Sequence, residues 1–384
     1  MNRLACILFV SLLAATSCVK EHGDDLVPEP THTLLVYMGG DNNLQTEVYQ
    51  KLFALRDGWT GKENHNIVVY IDYKGSPATL LHITKDANGN YINETLAVYS
   101  YENSASAATL SRVIGDTRTL YPADCFGLLI FSHASGWLPS GTLNDPTKPA
   151  QTLSRSIIVD DAGGEMELAD FADAIPDGLF DYIVFETCFM AGIEVAYELR
   201  EKTPLIFASS AEIVAPGFTS VYKTETRKLL SGDVQAFGTG VFEHTLTYGI
   251  EDYHRSATYS VIRTAGLDAL ASFVRDNCNF TQEVDISDVQ HFDRLKGYRL
   301  FFDFEDYYGR LLDTDAQRAE LARLIAECVD WKAATPEFMT QSPGLNGFTI
   351  AEHSGLTTYI LQTAFPCLTE AYRNLDWAGN VGLR

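Results

Sequence analysis

The chain has 384 residues, enough for one large domain or two ordinary ones. Apolar residues make up 46% of it, so a sizeable core is available and global disorder is excluded. Twenty-eight Lys and Arg stand against 51 Asp and Glu, a formal charge of −23 with no basic run, which argues against nucleic acid as a partner and favours a cationic substrate over an anionic one.

Residues 1–17 read as a signal peptide. Arg3 supplies a positive start, and 4–15 is an apolar stretch too short to cross a bilayer. Leu13-Ala-Ala-Thr-Ser-Cys18 resembles a bacterial lipoprotein cleavage box, which makes Cys18 the lipidated N-terminus and 18–32 a flexible tether. An ordinary secretory signal, with Cys18 incidental, is the other reading. Either way the chain is exported. The expectation is a cell-envelope protein, lipid-anchored to a bacterial membrane at the outer membrane or surface, and held there by the lipid alone.

The first predicted strand is 33–38, ending in the tight turn Gly39-Gly-Asp-Asn-Asn43. A helix is predicted over 44–55 and a buried strand over 66–72. Stretches 78–85 and 91–99 read as a meander with Asn88-Gly89 at the hairpin turn. A helix over 105–120 leads to the strand Phe126-Gly-Leu-Leu-Ile-Phe131, then a long loop over 138–156. A helix over 165–175 precedes the strand Tyr182-Ile-Val-Phe185. Apolar spacing predicts a helix over 189–202 and a further strand over 204–208.

This alternation implies an α/β fold with a mostly parallel central sheet and helices on both faces. Beyond about residue 250 the rhythm loosens. Strands are predicted over 258–262, 299–304 and 347–350, with helices near 265–277 and 315–329. The expected organisation is a first unit over 33–250 and a smaller α+β extension over 251–384 packed on it.

Seven cysteines occur, at 6, 18, 125, 188, 278, 328 and 367. Cys6 leaves with the signal and Cys18 is assigned to lipid, so five remain. An odd thiol in an exported chain points to one reactive cysteine. The other four pair in one of three ways or stay reduced. No spacing suits zinc.

His133 and Cys188 each fall just past a buried-strand pattern, and open α/β sheets gather their chemistry beyond the carboxyl ends of such strands. A thiol attacks only as thiolate, so it needs a base or a positive environment. His133 is the candidate base. The amino end of a helix beginning near Phe189 is a second candidate activator. Backbone N–H groups of Ala134 and Cys188 are the expected oxyanion donors. A buried structural thiol at a strand end and a satisfied loop histidine are the alternatives.

The flanking motifs carry a resemblance. Phe131-Ser-His-Ala-Ser-Gly-Trp137 resembles the histidine motif of the clostripain family, and Asp181-Tyr-Ile-Val-Phe-Glu-Thr-Cys-Phe-Met-Ala-Gly192 resembles its cysteine motif. Leu34-Leu-Val-Tyr-Met-Gly-Gly-Asp-Asn-Asn-Leu44 and the stretch 207–218 are similar to the family's first strand and to the segment after the cysteine.

The resemblance implies a caspase-like three-layer sandwich. It implies a cysteine endopeptidase with a His133–Cys188 dyad acting through a thioester acyl-enzyme on a peptide or protein substrate. It further implies cleavage after Arg or Lys, with Glu186 in the substrate pocket, and self-processing in the 138–156 loop. Arg155 suits self-processing better than Lys148, which Pro149 follows. No cofactor is expected. Calcium affects some relatives, yet Asp160, Asp161, Glu165 and Glu167 match no calcium-loop spacing. Two departures stand out. Ala134 replaces the glycine after the histidine, and Glu186 replaces the commoner Asp. Ala134 supports an alternative, a weak or inactive caspase-like lipoprotein that binds a peptide or partner. A serine hydrolase lacks its Gly-x-Ser-x-Gly elbow.

Overall fold

The computed structural model describes residues 30–383 apart from 101, 144, 148–156, 161–163, 249–251, 294–296 and 342–345. The N-terminal segment with Cys18, and Lys148 and Arg155 in the loop, lie outside the described residues.

Strand β1 (His32–Gly40) is followed by helix α1 (Gln45–Gly58), then β2 (His65–Tyr73), β3 (Ala78–Lys85) and β4 (Tyr91–Tyr99). Helix α2 (Ala107–Leu120) leads to β5 (Cys125–Phe131). A two-residue ribbon, β6 (Val159–Asp160) with β7 (Gly164–Glu165), precedes α3 (Leu168–Ala174) and β8 (Tyr182–Glu186). Then come α4 (Ile193–Glu198), β9 (Leu205–Ser209), α5 (Thr219–Leu229) and α6 (Val234–Thr247). Beyond them lie β10 (Thr258–Arg263), α7 (Leu267–Asn277), β11 (Phe302–Asp303), α8 (Phe304–Arg310), α9 (Asp315–Cys328) and β12 (Val329–Ala334).

Nine strands form one sheet in the order β12-β10-β9-β8-β5-β1-β2-β3-β4. The middle five pair in parallel and both flanks are antiparallel. The chain is therefore α/β, with a central mostly parallel mixed sheet between helical layers. The period-two alternation of each strand feeds both layers. In β1, Leu34, Val36 and Met38 pack with Val48, Leu52 and Leu55 of α1 and with Val221 and Tyr222 of α5. Leu35 and Tyr37 point the other way, into the cluster that holds Leu110 of α2, Phe171 of α3 and Ala196 of α4. Gly40, the last residue of β1, has no room for a side chain, since a Cβ there would lie 2.3 Å from a Val48 methyl.

Two sequence expectations need correction. The sheet runs through the boundary expected at residue 250, since β10 and β12 are its outer strands on one side. Much of the 299–304 and 347–350 stretches is irregular, and only Phe302–Asp303 and Phe348–Thr349 pair as strands. None of the five cysteines of the described residues is in a disulfide.

Buried carboxyl groups hold the C-terminal part, one tying it to α4 and one within it. Glu194 Oε1, in α4, accepts the Tyr359 N–H at 2.8 Å and the Thr358 hydroxyl at 3.1 Å. Asp303 accepts the Ser354 N–H at 2.6 Å. Burial pushes Glu194 up to about 7 and Asp303 up to about 6. A raised folded-state value means that folding binds a proton which the unfolded chain has released. That stability is present at low pH and is lost as pH rises from about 4.5 through about 7. Half-buried His353, lowered to about 3 by desolvation, pulls the whole protein in the opposite direction. A comparison isolates the carboxyl: Glu194→Gln is expected to gain on wild type between pH 5 and pH 8 in urea midpoint. A constant offset at both pH values would refute the assignment.

Candidate active site

Strands β5 and β8 are parallel neighbours, with Phe131 opposite Glu186. His133 and Cys188 each stand two residues beyond that pair. Adjacent strands lie about 4.8 Å apart, so both residues fall just past the carboxyl ends of neighbouring strands. Both are half-buried.

The loops that carry them touch. Gly136 has φ +65°, and a Cβ there would lie 2.6 Å from the carbonyl oxygen of Phe189. Only glycine lets the histidine loop come this close to the cysteine loop. Gly136→Ala is expected to cost about 1–3 kcal/mol in urea unfolding, through the left-handed backbone and the collision together; an unchanged midpoint would show that the loops can part freely. Trp137, buried one residue on, packs its ring 5.1 Å from those of both Tyr359 and Tyr372. Ser132, just before the histidine, donates its hydroxyl to the Gly39 carbonyl at 2.9 Å and accepts the Val159 N–H at 3.1 Å.

Cys188 lies on a bent turn. Phe189 has φ +62°, unusual for a side chain of its size, and its ring stacks on Phe301 at 4.2 Å with an interplanar angle of 7°. The N–H groups of Phe189 and Ala191 go to the carbonyls of Ala211 and Ser209. They continue pairing toward the segment after β9 and so are not available to a helix. This corrects the sequence reading: α4 begins at Ile193, five residues past Cys188, and brings no helix end to the sulfur. The sulfur instead accepts the Ile213 N–H at 3.4 Å. Burial pushes the Cys278 and Cys328 thiols up to about 12, so those thiols are inert at neutral pH.

His133 Nε2 lies 2.5 Å from Asn43 Oδ1. The sequence reading missed Asn43, taking it only as part of the turn after β1. The register could have found it: β1 flanks β5 on the side away from β8, with Met38 opposite Phe131, so the turn after β1 reaches the histidine.

Glu186 does not stand open to a substrate, contrary to expectation. It is 2% exposed, and its Oε1 accepts Lys51 Nζ at 2.6 Å. The Phe218 N–H and the Tyr222 hydroxyl also donate to it. Its charge is spent inside the protein, tying β8 to α1 and α5. Ala134, an expected oxyanion donor, is buried in the turn after His133. Among the acids considered for calcium, Asp160 Oδ2 accepts the Ser104 N–H and hydroxyl at 3.0 and 3.2 Å. Asp161 lies outside the described residues. Among the described residues no three His, Cys, Asp or Glu side chains are grouped to hold a metal ion.

Comparisons with known proteins bear on the family and the fold. The model of the clostripain family, Peptidase C11, matches residues 36–282. Clostripain of Hathewaya histolytica is 23% identical over 218 residues, covering 48% of this chain and 40% of the relative, so the match spans less than half of that protein. An inactive zymogen C11 protease from Parabacteroides distasonis superposes with a TM-score of 0.80 at 29% identity, covering 93% of this chain and 99% of that one. A secreted C11 cysteine protease from Bacteroides thetaiotaomicron, solved with an irreversible peptide inhibitor, has a TM-score of 0.79 at 24% identity, covering 92% and 99%. The latter likeness is one of fold.

Proposed function

The chain belongs to the clostripain family of cysteine peptidases, and from that premise we propose that it cleaves peptide bonds with His133 and Cys188 as a dyad. The observation that carries this is their matched overshoot beyond neighbouring parallel strands, on loops in contact at Gly136 and Phe189. The thiol proton passes to the imidazole. The thiolate attacks the scissile carbonyl, and the negative oxygen is taken up by the N–H groups of Ala134 and Cys188. The imidazolium then protonates the departing amine, leaving a thioester. Water, deprotonated by the same imidazole, releases the acid and restores the thiol.

Cleavage after Arg or Lys is proposed on the family resemblance and on the acidic charge of the chain, which attracts cations. Glu186 does not supply it in the arrangement described. The test is a panel of fluorogenic peptides ending in Arg, Lys, Asp and Asn, read with wild type and Cys188→Ser. Turnover of the Arg or Lys peptides by wild type alone is expected. Turnover restricted to Asp or Asn would remove basic preference and leave the dyad. One equivalent of a thiol-directed peptidyl inhibitor, lost in Cys188→Ala, separates a peptidase from a binding protein that keeps the fold.

Self-processing is proposed within 138–156, at Arg155 before Lys148. Fragmentation of wild type beside an intact Cys188→Ala supports it, and equal fragmentation of both removes it. Export and lipidation at Cys18 are proposed from the N-terminal sequence. Transfer of the protein to the aqueous phase of a detergent partition by Cys18→Ser is the expected sign. No helix among the described residues is long and apolar enough to cross a membrane.

A further inference from the structure

We propose that Asn43 is the positioning residue of the dyad, its side-chain oxygen fixing the tautomer and plane of the His133 ring. The inference rests on the dyad reading above and adds a third side chain to it.

The sheet order β8-β5-β1 aligns three loops along one edge. They carry Cys188, His133 and Asn43 in that sequence across the sheet. Asn43 Oδ1 lies 2.5 Å from His133 Nε2. An amide oxygen can only accept, so Nε2 carries the proton and the neutral ring keeps its lone pair on Nδ1. With the proton held on Nε2, Nδ1 is the nitrogen that serves as base in the proposed dyad. The proton of the thiol then moves to Nδ1, giving thiolate and an imidazolium protonated at both nitrogens, while the bond to Asn43 persists.

The residue before it makes Asn43 a fixed partner. Buried Asn42 donates its side-chain amide to the carbonyls of Gly39 at 3.1 Å and Val159 at 2.8 Å, and its oxygen accepts the Leu44 N–H at 2.8 Å. Three bonds therefore lock the turn around Asn43, which is itself exposed and free of the core. Asn42 builds the turn, and Asn43 uses it. Such locking is what holds a catalytic group within the narrow tolerance that proton transfer needs.

The test is alkylation of Cys188 by iodoacetamide from pH 4 to 10 in the exported chain, followed by peptide mapping, together with kcat and KM on the best panel substrate. Asn43→Ala is expected to slow alkylation at neutral pH and to lower kcat, each by about 10- to 100-fold, with KM within about twofold. Its urea midpoint should match wild type. Asn43→Asp is expected to keep most of the rate and to carry the alkaline limit of the thiolate–imidazolium plateau upward by about one pH unit or more, because a carboxylate beside the ring favours its charged form. The other titratable groups on the neighbouring strand ends, turns and ribbon (Cys188, Glu186, Asp41, Asp72, Tyr73, Asp160 and Glu165) are the same in all three proteins. Equal rates and superimposable pH profiles for wild type and Asn43→Ala would overturn the role of Asn43 alone. Wild-type Cys188 reacting no faster than the exposed Cys367 would overturn the dyad, and this inference with it.

Discussion

Replacing Lys51 by methionine is expected to lower the unfolding free energy by about 3–5 kcal/mol. The ammonium is fully buried and spends its three protons on Glu186 Oε1 at 2.6 Å, the Pro216 carbonyl at 3.0 Å and the Thr219 hydroxyl at 2.9 Å. It also lies 4.3 Å from the centre of the Phe131 ring. Methionine refills the volume of the stem and leaves the Glu186 carboxylate without a counter-charge. Two hydrogen bonds, from Phe218 and Tyr222, do not offset the removal of a whole charge from water. The loss is thus a desolvation penalty exposed by deleting one partner, not the net worth of the pair. Removing both charges tests that distinction. Lys51→Met with Glu186→Gln is expected to recover at least half of the loss. Urea midpoints and slopes of the three proteins decide it, and a single variant within about 1 kcal/mol of wild type sinks the argument.

The second large effect is on turnover. Cys188→Ala and His133→Ala are each expected to lower kcat/KM by about 10⁴- to 10⁶-fold, and the double variant no further than the singles. Nucleophile and base form one unit, because without the imidazole the thiol stays protonated and without the sulfur the imidazole has nothing to activate. Residual rate in all three reports binding and the oxyanion donors. Additive losses, with the double variant far below either single, would mean that the two side chains act in separate steps. Intact unfolding midpoints must accompany the rates, since both residues are only half-buried and their truncation removes little core.

The parallel middle of the sheet was legible because burial on both faces leaves no choice of residue: runs such as Leu-Leu-Val-Tyr and Tyr-Ile-Val-Phe have few other stable fates. The proposal of a dyad came from the ends of two such runs. Helix α5 escaped notice because only Val221, Tyr222, Thr226 and Leu229 of it are buried, and Thr226 reads as surface. The stretch after Cys188 misled for the opposite reason. Phe189, Ile193, Ala196 and Leu199 have helical spacing and all are buried, yet a left-handed Phe189 held against Phe301, more than a hundred residues away, delays the helix to Ile193. Glu186 misled likewise: its neutralising lysine lies 135 residues upstream, in a helix that periodicity alone presents as an ordinary amphipathic one. Local pattern carries local conformation, and these residues are governed by partners that only the folded chain supplies.

The matched ends of β5 and β8 have one more consequence. The segment joining these two strands leaves the sheet and returns to the very next position in it. A nick anywhere in that excursion would put the imidazole and the sulfur on separate polypeptides. Five ladder pairs and both apolar layers would still clasp the halves. Such a clipped enzyme should migrate as one particle on a sizing column and as two bands in detergent, with the working centre assembled across the seam.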